Sequence, residues 1–522
     1  MRNFWAVFFI LILNITRSLA GYSEQGFNYS SGTDTLWIHD NLIVPEGQTL
    51  DIAPGTVVLF DGSWFIEIRG KIRALGTEQE PIVFKPADTL GFSDTLETRG
   101  SWHGLRFVGT NSEKSEFHYC QFWYAKALDS DSLLKCGGVV HARGAVSALF
   151  DNCLFQSNRA WSRGGAIALF DGADLEFRHC SFIENATYNT NEGYGGAVYV
   201  WNASPIFYQC TFSDNQAVWT GGAICLYYSN PLIHNCLFTG NFGYIGGGMA
   251  FYHCRPQRTI CNNILFANVG LYFGGGISCN NACDPVFVNN TIVLNSASYG
   301  GGFYCNDSAA PTIINSLIYN NINYSGLGPV YIWDPLSHPN FHYCNIQGGS
   351  AAFAGSGGGS GYWGVFSNNI DIPPMFDSTV SWLYYPADTS LVDRGTPASD
   401  TLGLNLPSYD FAGDSRFVNG RVDIGAYERS GVKIEQIIKG YEVSVFPNPA
   451  TDRVTFSLQG LPAGNFEIWI LDSRGKRVFH SSETHLGGVL NYSMDLHCFS
   501  QGLYILRVKG RNWFGSALII KE

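Results

Sequence analysis

The 522-residue chain holds 60 glycines, 15% aromatic and 14% charged residues, which excludes a disordered protein and points to an ordered all-β one. Its length allows about three domains. A net charge of −12 argues against a nucleic-acid partner and suits a soluble extracellular surface.

The chain opens with Arg2, an apolar run from Phe4 to Ile15 and the small-residue stretch Ser18-Leu-Ala20. This is the pattern of a secretory signal peptide over residues 1–20, with cleavage near Gly21. The apolar run is too short to span a bilayer.

Residues 21–345 read as one solenoid. Between Leu42 and Phe107 short apolar runs alternate and turn, as in Ile52-Ala-Pro54-Gly55 and Ile66-Glu-Ile68-Arg-Gly70. From Cys120 to Cys344 the chain repeats itself in steps of 25 to 33 residues. One frame reads Cys153-Leu-Phe155-Gln-Ser-Asn158, Cys180-Ser-Phe182-Ile-Glu-Asn185, Cys210-Thr-Phe212-Ser-Asp-Asn215 and Cys236-Leu-Phe238-Thr-Gly-Asn241. It continues with asparagine in the cysteine slot at Asn263, Asn290 and Asn315. A second marker, Gly164-Gly165-Ala166-Ile167 and its counterparts at Gly195, Gly221, Gly247, Gly275 and Gly301, keeps step 14 to 16 residues ahead of the next slot.

A fixed period in this range means stacked units that bury their apolar faces on one another. After each glycine pair the apolar residues alternate, as in Ile167 and Leu169 or Val198 and Val200. That is strand periodicity. No amphipathic helix fits between the Gly, Asn and Pro punctuation. The expected fold is an all-β parallel β-helix, right-handed by the rule for parallel crossovers. Equivalent residues then stack about 4.8 Å apart. The Cys slot becomes a column of buried thiols and the Asn slot a ladder of side-chain amides.

The Phe-x-x-Asn and Gly-Gly-Ala-Ile/Val markers resemble the repeat of chlamydial polymorphic membrane proteins, which are β-helical surface adhesins. Phe155, Asn158, Gly164, Gly165, Ala166 and Ile167 carry the match. The resemblance implies a β-helix and, more loosely, adhesion.

Residues 346–433 are expected to hold terminal coils, a cap and a linker. A Gly/Ser/Ala-rich stretch from Gly348 to Gly361 reads as a flexible loop. Ile372-Pro-Pro-Met-Phe376, Leu391-Val-Asp393-Arg-Gly395, Asp410-Phe-Ala-Gly413-Asp-Ser-Arg416 and Val422-Asp-Ile-Gly-Ala-Tyr-Glu428 resemble the choice-of-anchor Q segment of secreted β-helix proteins. Such a segment would close the open end of the solenoid. Asp393, Asp410, Asp414, Arg416 and Asp423 are read as a capping network of ion pairs and hydrogen bonds.

Residues 434–522 show about seven short strands, the pattern of a small β-sandwich. Pro447-Asn448-Pro449, Asp472-Ser-Arg-Gly475-Lys476, Gly502-Leu-Tyr504 and the apolar end with Lys521 resemble the C-terminal sorting domain of the type IX secretion system. The resemblance implies the secretion machinery as a partner, passage across the outer membrane, and attachment to that surface without a transmembrane segment.

Chemistry is sparser. The aromatics before the glycine corners, Trp161, Tyr194, Trp219, Tyr244, Tyr272 and Tyr299, are expected to form one ladder. The bland reading is a structural stack; the sharper one is a platform for sugar rings or a partner surface, aided by Arg163 and Glu192. Two cysteine pairs are disulfide candidates: Cys254–Cys283, two residues before the prolines of successive coils, and Cys279–Cys305, equivalent on successive strands. No metal or other cofactor is expected, since Cys-x-x-Cys is lacking and His179 and His253 do not recur at ligand spacing. Asp171, Asp284 and Asp307 lie in comparable turns without a basic companion, which weakens a lyase or glycosidase reading. The expected function is an adhesin or glycan-binding module whose partner is extracellular polysaccharide or a host or neighbouring cell surface. The alternatives are a polysaccharide lyase or hydrolase and a purely structural surface protein.

Overall fold

One coil of the chain passes through four short strands, for example Ala148–Asp151, Leu154–Gln156, Arg159–Ala160 and Ile167–Phe170. Repetition of the coil builds four parallel sheets, numbered here in the order the chain meets them. They contain 12, 12, 8 and 11 strands, giving a right-handed-type solenoid of about 12 turns. The computed structural model describes residues 35–108, 113–128, 135–255, 258–326, 328–376, 385, 390–397, 406–418, 420–429, 439–472, 477–510 and 513–521. The predicted signal peptide lies outside these residues. No α-helix occurs among them.

Identical slots of the sequence lie directly above one another. Phe122, Phe155, Phe182, Phe212 and Phe238 are register partners on the second sheet. Their rings stack at 4.7–4.9 Å, within 18° of parallel. A second column from the first sheet, Phe117, Phe150, Phe177 and Phe207, stacks at 4.5–5.1 Å. Where the columns meet, as at Phe155 and Phe177, the rings are edge-on at 70°. Offset stacking within a column and edge contacts between columns are the two arrangements the ring quadrupole favours. Both columns are fully buried.

The corners are fixed by polar side chains. Asn158 Nδ2 donates to Asn185 Oδ1 at 3.0 Å, Asn185 to Asn215 at 2.9 Å, Asn215 to Asn241 at 2.9 Å, and the ladder continues through Asn268 and Asn295 to Asn321. Each Nδ2 also donates to a carbonyl of the preceding coil, as Asn215 does to Phe182. The corner backbone is thereby satisfied without water. The thiols do the same work in the other slot. Cys153 Sγ donates to Phe117 O and Cys180 to Phe150 O, both at 3.3 Å. Where asparagine replaces cysteine, Asn263 Nδ2 donates to Ile233 O at 2.9 Å. The corner glycines are required sterically: Gly164 has φ +62°, and a Cβ there would lie 1.8 Å from Ile167 O.

An excursion at residues 87–101 is tied down by buried Lys126, whose Nζ donates to Asp94 O and Glu97 O at 2.8 and 2.9 Å. Burial pushes its pKa down to about 8.

The Gly348–Gly361 stretch differs from its expected flexible loop. It contains two short 3₁₀ turns, Ser350–Ala352 and Gly359–Gly361. Phe353 inserts into the solenoid core beside Phe341 and Phe366. One large aromatic in a run of small residues supplies the burial that composition alone concealed.

Ile424–Ala426 belong to the solenoid unit. Gly425 N–H donates to Asn315 O at 2.8 Å and Ala426 N–H to Thr291 Oγ1 at 3.0 Å, so these three residues lie along its flank. The second unit includes Ser408–Asp423 and Tyr427–Glu522. Within it the expected ion-pair and hydrogen-bond contacts among these residues are formed. Arg416 is fully buried, with Nη1 3.3 Å from Glu428 Oε2. Asp410 accepts from the backbone of Asp414 and Glu428, and Asp423 from that of Asp393 and Arg429, at 2.6–2.7 Å. Burial and the neighbouring Asp423 push Glu428 up to about 8, and burial pushes Asp423 up to about 6.

Among the described residues the C-terminal region has eight strands, where about seven were expected. Lys439–Glu442, Trp513–Lys521, Gly502–Gly510, Gly464–Asp472 and Arg477–His485 form one sheet in that order; Ser444–Phe446, Arg453–Leu461 and Gly488–Asp495 form the other. Its own core includes Phe456, Leu458, Ile468, Ile470, Leu506 and Val508.

Two measurements test these interactions. Asn215→Ala strips the Asn185 N–H of its acceptor and should cost about 3 kcal/mol in denaturant unfolding, whereas the exposed Gln216→Ala should change stability by less than about 0.5 kcal/mol. Glu428 keeps its proton in the folded chain up to about pH 8, while an ordinary glutamate releases it near 4.5. Folding therefore takes up a proton over that interval, and stability falls as pH rises through it. Unfolding midpoints from pH 5 to 8 should fall less steeply in Glu428→Gln than in the parent.

Candidate functional site

The aromatic residues before the glycine corners do not form the single ladder expected of them. Counted back from the left-handed corner glycines Gly164, Gly195, Gly221, Gly246, Gly274 and Gly300, they occupy three different positions. Trp219, Tyr244 and Tyr272 stand two residues before their glycines, Tyr194 and Tyr299 one, and Trp161 three. Extended backbone turns successive side chains to opposite sides, so a shift of one residue sends a ring to the other face. Trp219, Tyr244 and Tyr272 stack at 4.8 and 4.6 Å. Tyr194 instead packs against Tyr199 and Tyr227, and Tyr299 against Phe273 and Tyr331. Trp161 joins neither stack among the described residues.

Tyr194 and Tyr299 lead to a larger aromatic surface on the outer face of the fourth sheet. Along this sheet Val140, Ile167, Val198, Ile224 and Met249 point into the core. The residues between them face out. One outer column runs Arg106, His141, Ala168, Tyr199, Cys225 and Ala250. The next runs Arg143, Phe170, Trp201, Tyr227 and Tyr252. The small side chains Ala168, Cys225 and Ala250 let the large rings beside them lean over the sheet, forming a separate apolar cluster with Cys136, Phe170 and Tyr199. Tyr227 stacks on Tyr252 at 4.5 Å and on Trp201 at 5.5 Å. Tyr228 crosses Trp201 edge-on at 5.3 Å and stacks on His253 at 4.6 Å. Trp201 is 38% and Tyr228 51% exposed, so the row presents ring surface to solvent.

This face was invisible in the alternation argument, which kept the inward residues of each strand and passed over those between. The signal was present in Tyr199-Val-Trp201, Tyr227-Tyr228 and Tyr252. Burial pushes the phenols of Tyr199, Tyr227 and Tyr252 well above the usual tyrosine range. They remain neutral and act as surfaces and hydrogen-bonding groups, not as bases. Tyr252 Oη lies 3.1 Å from Thr220 Oγ1.

The N-terminal end of the face is cationic. Arg143 pairs with Asp171 at 3.3 Å. Arg163 lies over the Tyr199 ring at 5.4 Å and, with Lys135, approaches Glu192 at 3.8 and 3.7 Å. His141 is buried, and desolvation together with the charges of Arg106 and Arg143 holds its pKa down at about 3. Of the three turn carboxylates, Asp171 is thus ion-paired; Asp307 accepts from Asn306 Nδ2, and the Asp284 backbone N–H donates to Cys254 O. Among the described residues no group of three or more His, Cys, Asp or Glu side chains is placed to hold a metal ion.

The four cysteines of the two expected bridges are free, buried thiols in the structure. The Cys283 thiol neighbours those of both Cys254 and Cys279, and Cys279 and Cys305 are register partners. The arrangement is a chain of neighbouring thiols and not two separate pairs. Burial pushes Cys279 up to about 11 and Cys344 to about 12.

In the C-terminal sandwich the Pro447-Asn448-Pro449 segment braces the last strand. Asn448 Oδ1 accepts from Ile520 N–H, and Ala450 N–H donates to Ile520 O, both at 2.8 Å. Gly502 pairs with Lys521. Tyr504 Oη donates to Ser500 O at 2.7 Å. Gly475 and Lys476 lie outside the described residues.

Residues 103–292 and 187–328 match the family model of the right handed beta helix region, and residues 444–522 that of the secretion system C-terminal sorting domain. No curated protein matches the chain. With its register and cores, this makes the molecule a right-handed parallel β-helix protein. More particularly, it is a β-helix protein carrying a type IX sorting domain, which indicates secretion across the outer membrane to a surface or extracellular location.

Thiol chemistry offers a direct check. Thiols that are buried and kept protonated are inert, and Cys498 alone among the fourteen cysteines is exposed. The native chain should take up one equivalent of a small thiol reagent; unfolding without reductant should expose all fourteen.

Proposed function

We propose that this chain is a glycan-binding adhesin, delivered by the type IX machinery and held at the outer-membrane surface by attachment, with an N-terminal signal peptide opening its route. The observation that carries the reading is the row formed by Trp201, Tyr227, Tyr228 and Tyr252 on the outer face of the fourth sheet. Sugar rings carry apolar C–H faces that stack on exposed aromatic rings, and a row along the solenoid axis suits an extended polymer. The amphipathic character of Trp and Tyr favours such wet contacts. The shorter Trp219–Tyr244–Tyr272 stack is the competing location for the site and is not part of this reading.

A glycan array combined with a polysaccharide-digestion assay tests the reading. The purified chain should bind a subset of glycans without cleaving them. Trp201→Ala and Tyr228→Ala should each weaken binding about tenfold, equivalent to about 1.4 kcal/mol, while Trp219→Ala and Tyr272→Ala leave it unchanged. Release of unsaturated or reducing-end products would sink the non-catalytic reading in favour of a lyase or hydrolase. Loss of binding only in the Trp219 and Tyr272 variants would move the site to the other stack.

A further inference from the structure

The outer face of the first sheet changes character partway along its length. One outward column starts with Asp51, Arg73 and Glu116, joined by ion pairs at 3.3 and 3.9 Å. It passes Leu149 to reach Glu176, which Lys114 approaches at 3.0 Å. The same column then runs Ile206, Leu232, Thr259, Val286 and Thr312. Their neighbours Phe207, Ile233, Ile260, Phe287 and Ile313 belong to the core, so these five side chains face out. They are half-buried and join none of the hydrophobic clusters formed by the described residues. From Asn215 to Ile370 the chain's only Asp, Glu, Lys or Arg residues are Arg255, Arg258, Asp284, Asp307 and Asp334.

The adjacent outward column is treated differently by the chain. Cys261, Val288 and Ile314 are buried, and Ile424–Ala426 lie alongside. Asn289 Nδ2 donates to Gly425 O at 3.1 Å, and Gly425 N–H to Asn315 O at 2.8 Å. The column from Ile206 to Thr312 keeps part of its surface open to solvent. An uncharged row on a sheet is the kind of surface that proteins guard with charge, because it seats another sheet. Charge depletion is also the mark of an interface core. Two properties select the occupant. The row repeats about every 4.8 Å, and a second solenoid offers a row of the same period, whose side chains seat between these. The chain also carries a net charge of −12, so two copies repel where charged surfaces meet, and this row has no charge. With the two axes antiparallel, the neutral lengths overlap and the lengths bearing Asp51, Glu116 and Glu176 point away from one another.

We infer that this row is the contact through which two copies of the chain pair, sheet against sheet and antiparallel. The paired sheets lie about 10 Å apart, with Ile206, Leu232 and Val286 interdigitating across a twofold axis. The inference goes beyond the glycan-binding reading and does not depend on it. It adds one consequence to that reading. The aromatic row lies on the fourth sheet, so pairing through the first leaves it uncovered in both copies, and two rows on one particle hold a surface by avidity.

Sedimentation velocity on the full chain tests the pairing. The mass should double as concentration rises through the micromolar range, and more readily at high salt, since screening removes repulsion and no ion pair is lost. Leu232→Glu and Val286→Glu should each weaken pairing about tenfold, because a carboxylate would be buried against an apolar sheet. Leu149→Glu, on the charged length of the same column, should leave it unchanged. Thr312→Glu exchanges one polar residue for another; it serves where the first two variants fail to fold, and should act as they do. A monomer at every concentration, a dimer that salt dissociates, or a dimer indifferent to these substitutions overturns the inference and leaves the glycan-binding reading standing. A monomer that cosediments with phosphatidylcholine vesicles, and no longer does so as Val286→Glu, overturns it in favour of a lipid surface. The same result with an insoluble neutral polysaccharide overturns it in favour of a glycan on the first sheet.

Discussion

Every feature of this molecule depends on in-register stacking of one coil on the next. A coil has no closed core of its own and leaves both edges of its backbone unpaired. Neighbours above and below supply the hydrogen bonds and the apolar contact at once. This constraint explains why the same side chain recurs at the same place. Phe155 packs on Phe182 because each is what the other needs, and Asn158 has a partner because Asn185 repeats its position. The C-terminal sandwich obeys a different rule, with mostly antiparallel strands and a core closed within one small body.

Stacking also explains how a polar corner can be dry. The amide of asparagine donates and accepts, so a column of them satisfies itself and the turn backbone together. Cysteine does part of this, donating weakly to a carbonyl of the preceding coil. The two residues exchange along one slot, from Cys236 to Asn263 and back to Cys344, because the carbonyl they serve is the same.

The interior was legible in the sequence for that reason. The Phe, Asn and Gly–Gly markers are fixed residue types at a fixed phase, and the structure stacks them as read. The outer face was not, because nothing requires an outward residue to repeat. Ala168, Tyr199, Cys225, Ala250 and Ser278 are register partners of four different residue types. The aromatic ladder was misread because the corners vary in length: one residue lies between Trp219 and Gly221, none between Tyr194 and Gly195. In a strand that difference exchanges inside for outside, splitting one supposed row into two. Phe353 was hidden by the glycines and alanines around it.

The amide column has a direction. Each Nδ2 from Asn158 to Asn295 points to the oxygen of the following coil, and Asn321 ends the run by donating to the carbonyls of Ile292 and Tyr319. Any coil that presents one asparagine in phase therefore fits between two others, whatever it displays outside. Duplicating or deleting a whole coil leaves every remaining junction intact and changes the reach of the outer face by about 4.8 Å. Length is thus a quantity that inheritance can adjust in whole steps, independently of the chemistry written on the surface.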